Sequence, residues 1–381
     1  MATIRKRTLP SGRPVWQTDY IDGGGKRRHK QFPTKKEADA FLVHARGEVA
    51  RGIHTADSAS ITLNAAADLW ITACTANRRE EATIKRYRAT LDLYVRPALG
   101  TSKLSRISTV TVQEHIDMLA PTMSRSSLIK VRGAISSVFA TAMRKGKAAH
   151  NPTHEVVLPS SARREESVEM PTKTELRAIL AATPERWLPF MWTALFTGMR
   201  ASEMRGLLWS DVDLDAGIIR VRRRVDFRNT FGPPKSKAGR RDIPLSPSTT
   251  KLLKEWKLRC PNGDLGLVFP NGAGNVESHT NLLRRVFWPA QVTAGVVVMR
   301  DALDANGQPT KVPEAKYSLH ALRHAAASLF IEQNLTPKKL QTLMGHASIQ
   351  MTMGVYGKLF ASETEDRAAM DAIDRRFSGP D

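Results

Sequence analysis

Three groups of residues late in the chain have the types and spacing to do chemistry on a phosphate: His320-Ala-Leu-Arg323-His324, then Gly345-His346, then Tyr356. A guanidinium can hold two phosphate oxygens bidentately, and an imidazole can donate or shuttle a proton near neutral pH. Tyrosine is a covalent nucleophile, but a phenol pKa of about 10 means that it needs help at neutral pH. Taken singly, each of these residues is more often core or surface than site. It is the series that points to a site, and a second arginine strengthens it. Arg200 follows a glycine break at Thr197-Gly198, and a helix start there would welcome an anion.

Helices must carry these groups. Leu322, Ala325, Ala326, Leu329 and Phe330 predict one amphipathic helix, and Leu335, Leu340, Leu343 and Met344 predict the next. His320 and Arg323, three apart, share a face of the first. Thr336-Pro337 reads as an N-cap followed by proline at the first helical position; Gly345 stops that helix, and His346 emerges just past its end. Upstream, Thr172 and Glu175 predict a capped helix, followed by an apolar helix Trp187–Phe196 and another reaching Leu208. Gly217–Asp226 and Arg240–Leu245 read as strands, with Phe231–Gly239 as the loop between them, carrying Lys235 and Lys237. The segment Ala294–Lys316, with Gly307 and Pro309, reads as a surface excursion, and Glu363–Phe377 as a closing amphipathic helix.

Two further regions precede this one. Residues 1–55 read as a small module of sheet plus helix. Its strands Arg13–Tyr20 and Lys26–Phe32 join over Gly23-Gly24-Gly25, and Thr34 caps a helix with Ala38, Phe41, Leu42 and Ala45 on one face. Arg5, Lys6, Arg7, Arg13, Lys26, Arg27, Arg28 and Lys30 load the strands with positive charge. With Trp16 and Tyr20 interleaved, the sheet is expected to lie on DNA rather than to be merely soluble. After a Ser/Ala/Thr linker at Ala56–Ile61, residues 60–150 read as all helical, the second helix ending before Pro97. A one-signed basic face there favours phosphate contact over simple solvation. A charged Pro/Ser tether, Asn151–Glu169, leads to the last domain, residues 170–381.

Composition agrees with a polyanion partner. Lys and Arg number 58 against 37 Asp and Glu, a net charge of +21, in a chain 41% hydrophobic and so able to fold. An anionic membrane surface is the competing partner. No run of about 20 apolar residues exists to span a bilayer, and the amino terminus lacks the apolar core of a signal peptide. The two cysteines, Cys74 and Cys260, match no metal spacing, so a reduced, cytoplasmic setting is expected. HALRH places Ala321-Leu322 where a zinc hydrolase has its glutamate, and neither a paired acidic cluster nor a P-loop is present. Neither metal nor cofactor is therefore expected.

TGMRASEMRGLLWSDVDL, KSKAGRRDIPL, HALRH and LMGHASIQMTMGVYGKL resemble the signature stretches of the tyrosine recombinases, the phage-integrase family that cuts and rejoins DNA through a 3′-phosphotyrosine. The resemblance is close over residues of about 170–375 and looser over 60–150, which resembles the helical core-site-binding domain. It is weakest over 1–55, which resembles the arm-site module of phage integrases. It implies a multidomain fold: a small β-sheet plus helix module, an all-α core-binding domain and a mainly α (α+β) catalytic domain. Carried over by position, Arg200 and Arg323 clamp the scissile phosphate, His320 assists proton transfer at the tyrosine and His346 hydrogen-bonds the phosphate. Tyr356, ten residues after His346, attacks. The leaving-group acid is Lys235 or Lys237, with Lys235 in the better register; Glu203 supports the first arginine, and His324 packs or supports. The implied partners are double-stranded DNA at core and arm-type attachment sites and three further copies in a homotetramer, with a DNA-bending host factor and an excisionase as accessory candidates. The setting is a bacterial nucleoid and the role is phage or mobile-element integration. A catalytically idle DNA-binding regulator on the same scaffold and a type IB topoisomerase are the alternatives.

Overall fold

The computed structural model describes residues 3–22, 24–52, 54–159, 169–304, 306–360 and 370. The chain forms two compact units, one up to residue 166 and one from residue 167.

The first unit opens with three antiparallel strands, Thr3–Thr8, Pro14–Ile21 and Arg27–Phe32, in sequential order, and the helix Lys35–Ala50 lies on them. The first of these strands, TIRKRT, is not distinguished in the sequence from a run of charge. Thr34 caps the helix by accepting from the Glu37 amide, and Leu42 and Ala45 pack on Tyr20. That packing corrects one expectation. Side chains alternate across a strand, so Trp16, Thr18 and Tyr20 share a face, and it is the face the helix covers. Tyr20 is only 5% exposed. The opposite face carries Gln17 and Asp19, screened by Arg7, which donates to Gln17, and by Arg5, 3.0 Å from Asp19. Charged side chains, not the two aromatics, form the open face.

The stretch after this module is pinned rather than free. The Asp57 carboxylate accepts from Lys30 of the sheet (2.8 Å) and from Ser105 of the helical part (2.6 Å). The helical part is built on Leu63–Ala76, Glu81–Thr90, Thr109–Leu119 and Arg125–Arg144, capped by Thr62, Ser108 and Ser124 where hydroxyls meet orphan amides. The second helix does not stop before Pro97. A π-helical turn, Leu91–Val95, leads into a further turn Arg96–Leu99, and the wider ladder accommodates the residue that lacks an amide hydrogen.

The second unit buries one large core running from Leu176 to Ala325. Thr172 and Glu175 form the expected capping box at the start of Lys173–Ala182. Helix Leu188–Thr197 ends on Gly198, and the next helix is short, Ala201–Met204, rather than reaching Leu208. Gly206 comes so close to Arg224 and Val225 that a Cβ would lie about 3 Å from them. The stretch Gly217–Asp226 is two strands, not one. Ile218–Val221 pairs with Arg241–Pro244, whereas Arg224–Val225 pairs with Phe231–Gly232, so the loop contains a hairpin of its own. The excursion before Ser318 is a regular antiparallel hairpin, Val297–Leu303 with Pro309–Ala315. Helices His320–Glu332, Pro337–Met344 and Ile349–Tyr356 close the unit. Residues 160–168 of the expected tether, and all but Met370 of the expected helix Glu363–Phe377, lie outside the described residues.

Candidate active site

The turn that presents Arg200 depends on Gly198. Its φ of +61° is left-handed, and a Cβ there would lie 2.8 Å from the Met344 sulfur. The chain then enters Ala201–Met204 with Arg200 at the N-cap, where Glu203 Oε2 accepts from the Arg200 amide at 2.9 Å. Glu203 Oε1 accepts from Arg200 Nη1 at 2.8 Å, and Arg200 Nη2 donates to the Gly345 carbonyl at 3.0 Å. Both ends of the guanidinium are thus fixed, while the side chain stays 27% exposed.

Beneath it lies Arg241, a residue the sequence reading passed over. Its side chain is 2% exposed and makes four contacts. Nη2 and Nη1 donate to the Glu203 carboxylate at 3.0 and 3.2 Å, Nη1 donates to the Gly239 carbonyl at 3.0 Å, and Nε donates to the Leu343 carbonyl at 2.6 Å. One guanidinium therefore ties the acidic support of Arg200 to the end of the lysine loop and to the helix end before His346. Burial pushes the Glu203 carboxyl up, but the charge and hydrogen bonds of Arg241, with Arg200, outweigh this and hold it below the ordinary range. Gly345, at φ +62°, makes room: a Cβ there would meet the Ala238 carbonyl and Arg241 Nη1 at 3.0 Å.

Arg323, 3% exposed, donates to the Gly198 carbonyl at 2.6 Å and to the Met344 carbonyl. Burial, then the charge of Arg200, lowers it to about 9, which still leaves it charged at neutral pH. His346 is buried just past the Gly345 turn, with Nδ1 2.9 Å from the Thr352 hydroxyl. Burial and the surrounding cations Arg323, Arg200 and Arg241 bring it to about 4. Its ring stacks parallel to that of Tyr356, 6.3 Å between centroids.

Tyr356 is 1% exposed, and burial raises its phenol to about 12, partly opposed by Arg323. Its hydroxyl lies 2.8 Å from His324 Nδ1. His324 is thus in direct contact with Tyr356 rather than merely packed nearby, and burial, then Arg323, holds it below its ordinary value. The signal was present in HALRH, since residues four apart share a helix face as readily as those three apart. His320 meets His324 edge to face at 4.8 Å between centroids. It is drawn down to about 4 by the protein packed round it and by His324, Arg323 and Arg200; because the residue itself is exposed, the cationic neighbours are the more durable cause.

Arg200, His320, Arg323, His346 and Tyr356 therefore belong to one connected cluster, together with Glu203, Arg241 and His324. Lys235 and Lys237 lie on the exposed loop that leads into Arg241, and neither side chain has a hydrogen-bond or ion-pair partner among the described residues. Tyr317 is buried elsewhere and donates to Glu175 at 3.0 Å. Among the described residues no three of His, Cys, Asp and Glu gather as a metal site, and no helix is long and apolar enough to cross a membrane.

Two cationic clamps around a buried phenol, with neutral imidazoles beside it, form a site able to hold a phosphodiester and attack it. The phage integrase central domain matches residues 63–157. A tyrosine recombinase XerC-like protein of Caldanaerobacter subterraneus is 26% identical over 370 residues, spanning 88% of this chain and 89% of its own. An integrase of Streptomyces ambofaciens is 27% identical, spanning 93% and 92%. In fold, the chain is similar to the Tn1549 transposon integrase in complex with a circular intermediate DNA (TM-score 0.64, 18% identity, 82% of this chain and all of that one). It is also similar to a lambda integrase dimer bound to a COC′ core site (TM-score 0.59, 20% identity, 93% and 94%). With the phage integrase family itself matching residues 169–363, just over half of the chain, this protein belongs to that family of tyrosine recombinases.

Proposed function

We propose that the chain is a site-specific DNA recombinase that integrates, and in reverse excises, a phage or other mobile element through a 3′-phosphotyrosine intermediate. The observation that carries this is the single cluster in which Arg200 and Arg323, anchored to the Gly345 and Gly198 carbonyls, flank the neighbourhood of Tyr356. Arg200 and Arg323 neutralise the non-bridging oxygens as charge builds on the pentacoordinate phosphorus. His346, neutral and fixed through Thr352, donates a hydrogen bond to the same phosphate. Tyr356 attacks, and Lys235, or Lys237 beside it, protonates the departing 5′-oxygen. Both lysines are exposed and unpaired among the described residues, which suits groups that reach their partner only when DNA arrives. The ester energy is conserved in the protein–DNA bond, so neither ATP nor a metal enters the scheme.

In the same reading, residues 170–381 act as the catalytic domain and 60–150 grip the core site. The open sheet face of residues 1–55, with Arg5 and Arg7 beside Gln17 and Asp19, meets arm-type DNA. Four copies assemble on two sites, as lambda integrase does on a Holliday junction, with a host bending protein and an excisionase setting direction in a bacterial nucleoid. The test is relaxation of a supercoiled plasmid carrying the element's flanking DNA, in EDTA and without ATP, by wild type and Tyr356→Phe. Relaxation by the wild type alone supports the reading. Relaxation by both removes Tyr356 as nucleophile, and relaxation by neither favours an idle DNA-binding regulator.

A further inference from the structure

We propose that His324 is the base that takes the phenol proton from Tyr356 as its oxygen attacks phosphorus, the role that the resemblance assigns to His320. The inference rests on the tyrosine-transfer reading above and sharpens it at one atom.

Contact comes first. His324 Nδ1 lies 2.8 Å from the Tyr356 hydroxyl, within the range a proton acceptor needs before any substrate rearrangement. His320 makes no hydrogen bond to that hydroxyl among the described residues; it touches the edge of the His324 ring instead. Position follows from the helix. Ala321, Leu322, Ala325 and Ala326 are buried and fix the helix His320–Glu332, so Arg323 and His324, adjacent in sequence, are held toward the phosphate clamp and toward the phenol respectively.

Protonation state decides the direction of the bond. A phenol held near 12 keeps its hydrogen at neutral pH, and an imidazole held below its ordinary value is neutral. Tyr356 is therefore the donor and Nδ1 the acceptor, with the remaining ring proton on Nε2. The groups facing His324 are His320 and Arg323 from its own helix and Tyr356 from the last one, and the His346 ring lies against the far side of that tyrosine. Among the described residues no carboxylate pairs with it, so its charged form is transient.

The step balances. The tyrosine oxygen bonds phosphorus while its proton passes to Nδ1. The bond from phosphorus to the 5′-oxygen breaks, and that oxygen takes a proton from the lysine of the loop. On rejoining, the incoming 5′-hydroxyl gives its proton to the lysine, and the imidazolium returns its own to the departing tyrosine oxygen.

The experiment measures single-turnover formation of SDS-resistant protein–DNA adduct by the full chain, using duplex from the element's flanking DNA. Wild type, His324→Gln, His324→Ala and Lys235→Ala with Lys237→Ala are compared on an ordinary cleavage position and on one with a 5′-bridging sulfur, whose departure needs no acid. Glutamine keeps a hydrogen-bonding side chain but cannot carry the proton. His324→Gln should lose about 10²–10⁴-fold, the usual size of a general-base contribution, with non-covalent binding and melting temperature unchanged. Its rate should no longer show the acid limb that wild type shows below the ordinary histidine range. The sulfur should restore the lysine double variant and leave both His324 variants slow. A His324→Gln rate within about fivefold of wild type, with the same pH profile, overturns the assignment. So does rescue of His324→Gln by the sulfur. If wild type forms no adduct on either duplex, the tyrosine-transfer reading itself falls, a result separable from failure at His324.

Discussion

Replacing Glu203 with glutamine isolates the charge on which Arg200 is mounted. Glu203 and Arg241 are both 2% exposed at their side chains and meet through two contacts of 3.0 and 3.2 Å, while Arg200 adds a third at 2.8 Å. A buried ion pair is weak evidence for net stability, because desolvation offsets attraction, but removing one partner strands the other. Arg241 would keep its bonds to the Gly239 and Leu343 carbonyls and lose the only carboxylate that pairs with it among the described residues. The expected cost is about 3–5 kcal/mol in the unit that starts at residue 167. Tryptophan fluorescence reports that unit well in urea, because Trp187, Trp192, Trp209, Trp256 and Trp288 all lie within it. Arg241→Met added to Glu203→Gln should recover part of the loss, since the buried guanidinium stranded by the first change is then removed. The sign with pH is also fixed. Glu203 titrates below its ordinary 4.5 when folded, so its contribution is present above that value and is lost as pH falls below it. Wild type and variant should therefore converge toward acid. A Glu203→Gln protein within about 1 kcal/mol of wild type, or strictly additive losses in the double variant, would refute the idea that this pair carries the mounting of Arg200.

Other consequences follow from the same geometry. His346 is held at about 4 against an ordinary 6.5, so the unfolded chain binds its proton first and stability falls as pH drops from 6.5 toward 4. His346→Gln should flatten that slope by on the order of 2 kcal/mol, read from urea midpoints at pH 7 and pH 4.5. Gly345→Ala should cost about 1–2 kcal/mol from the left-handed backbone, and cleavage should suffer more than stability, because the new Cβ meets Arg241 and the lysine loop. With a net charge of +21, affinity for random duplex should fall by about 10³-fold or more between 50 and 200 mM salt in filter binding. A salt-insensitive affinity would contradict a phosphate-tracking surface.

Much of this site could be read from sequence because its parts lie on short helices with clear punctuation. Thr336-Pro337 and Gly345 mark both ends of one helix, and the structure caps it at those residues. Three features were hidden for physical reasons. Arg241 sits in a strand beside Arg240, and a two-residue alternation with arginine at both positions gives no sign of which one turns inward. His324 was overshadowed by the three-residue spacing of His320 and Arg323, although a fourth residue on the same turn reaches the same neighbourhood. Trp16 and Tyr20 carried the right alternation but the wrong face, because nothing in a strand says which side its own helix will cover. Among the described residues, the two π-helical turns, Leu91–Val95 and Leu283–Phe287, each precede a proline that sequence rules place at a helix boundary.

The most direct test of the account is to find the covalent bond. Wild-type protein would be incubated with the element's flanking duplex, trapped in SDS, digested with nuclease and trypsin, and the peptide Leu340–Lys358 sequenced by mass spectrometry. A nucleotide joined through its 3′-phosphate to Tyr356, absent from Tyr356→Phe, is the predicted result. Strand transfer with the nucleotide on any other residue, or with no peptide adduct at all, would contradict the mechanism at its centre.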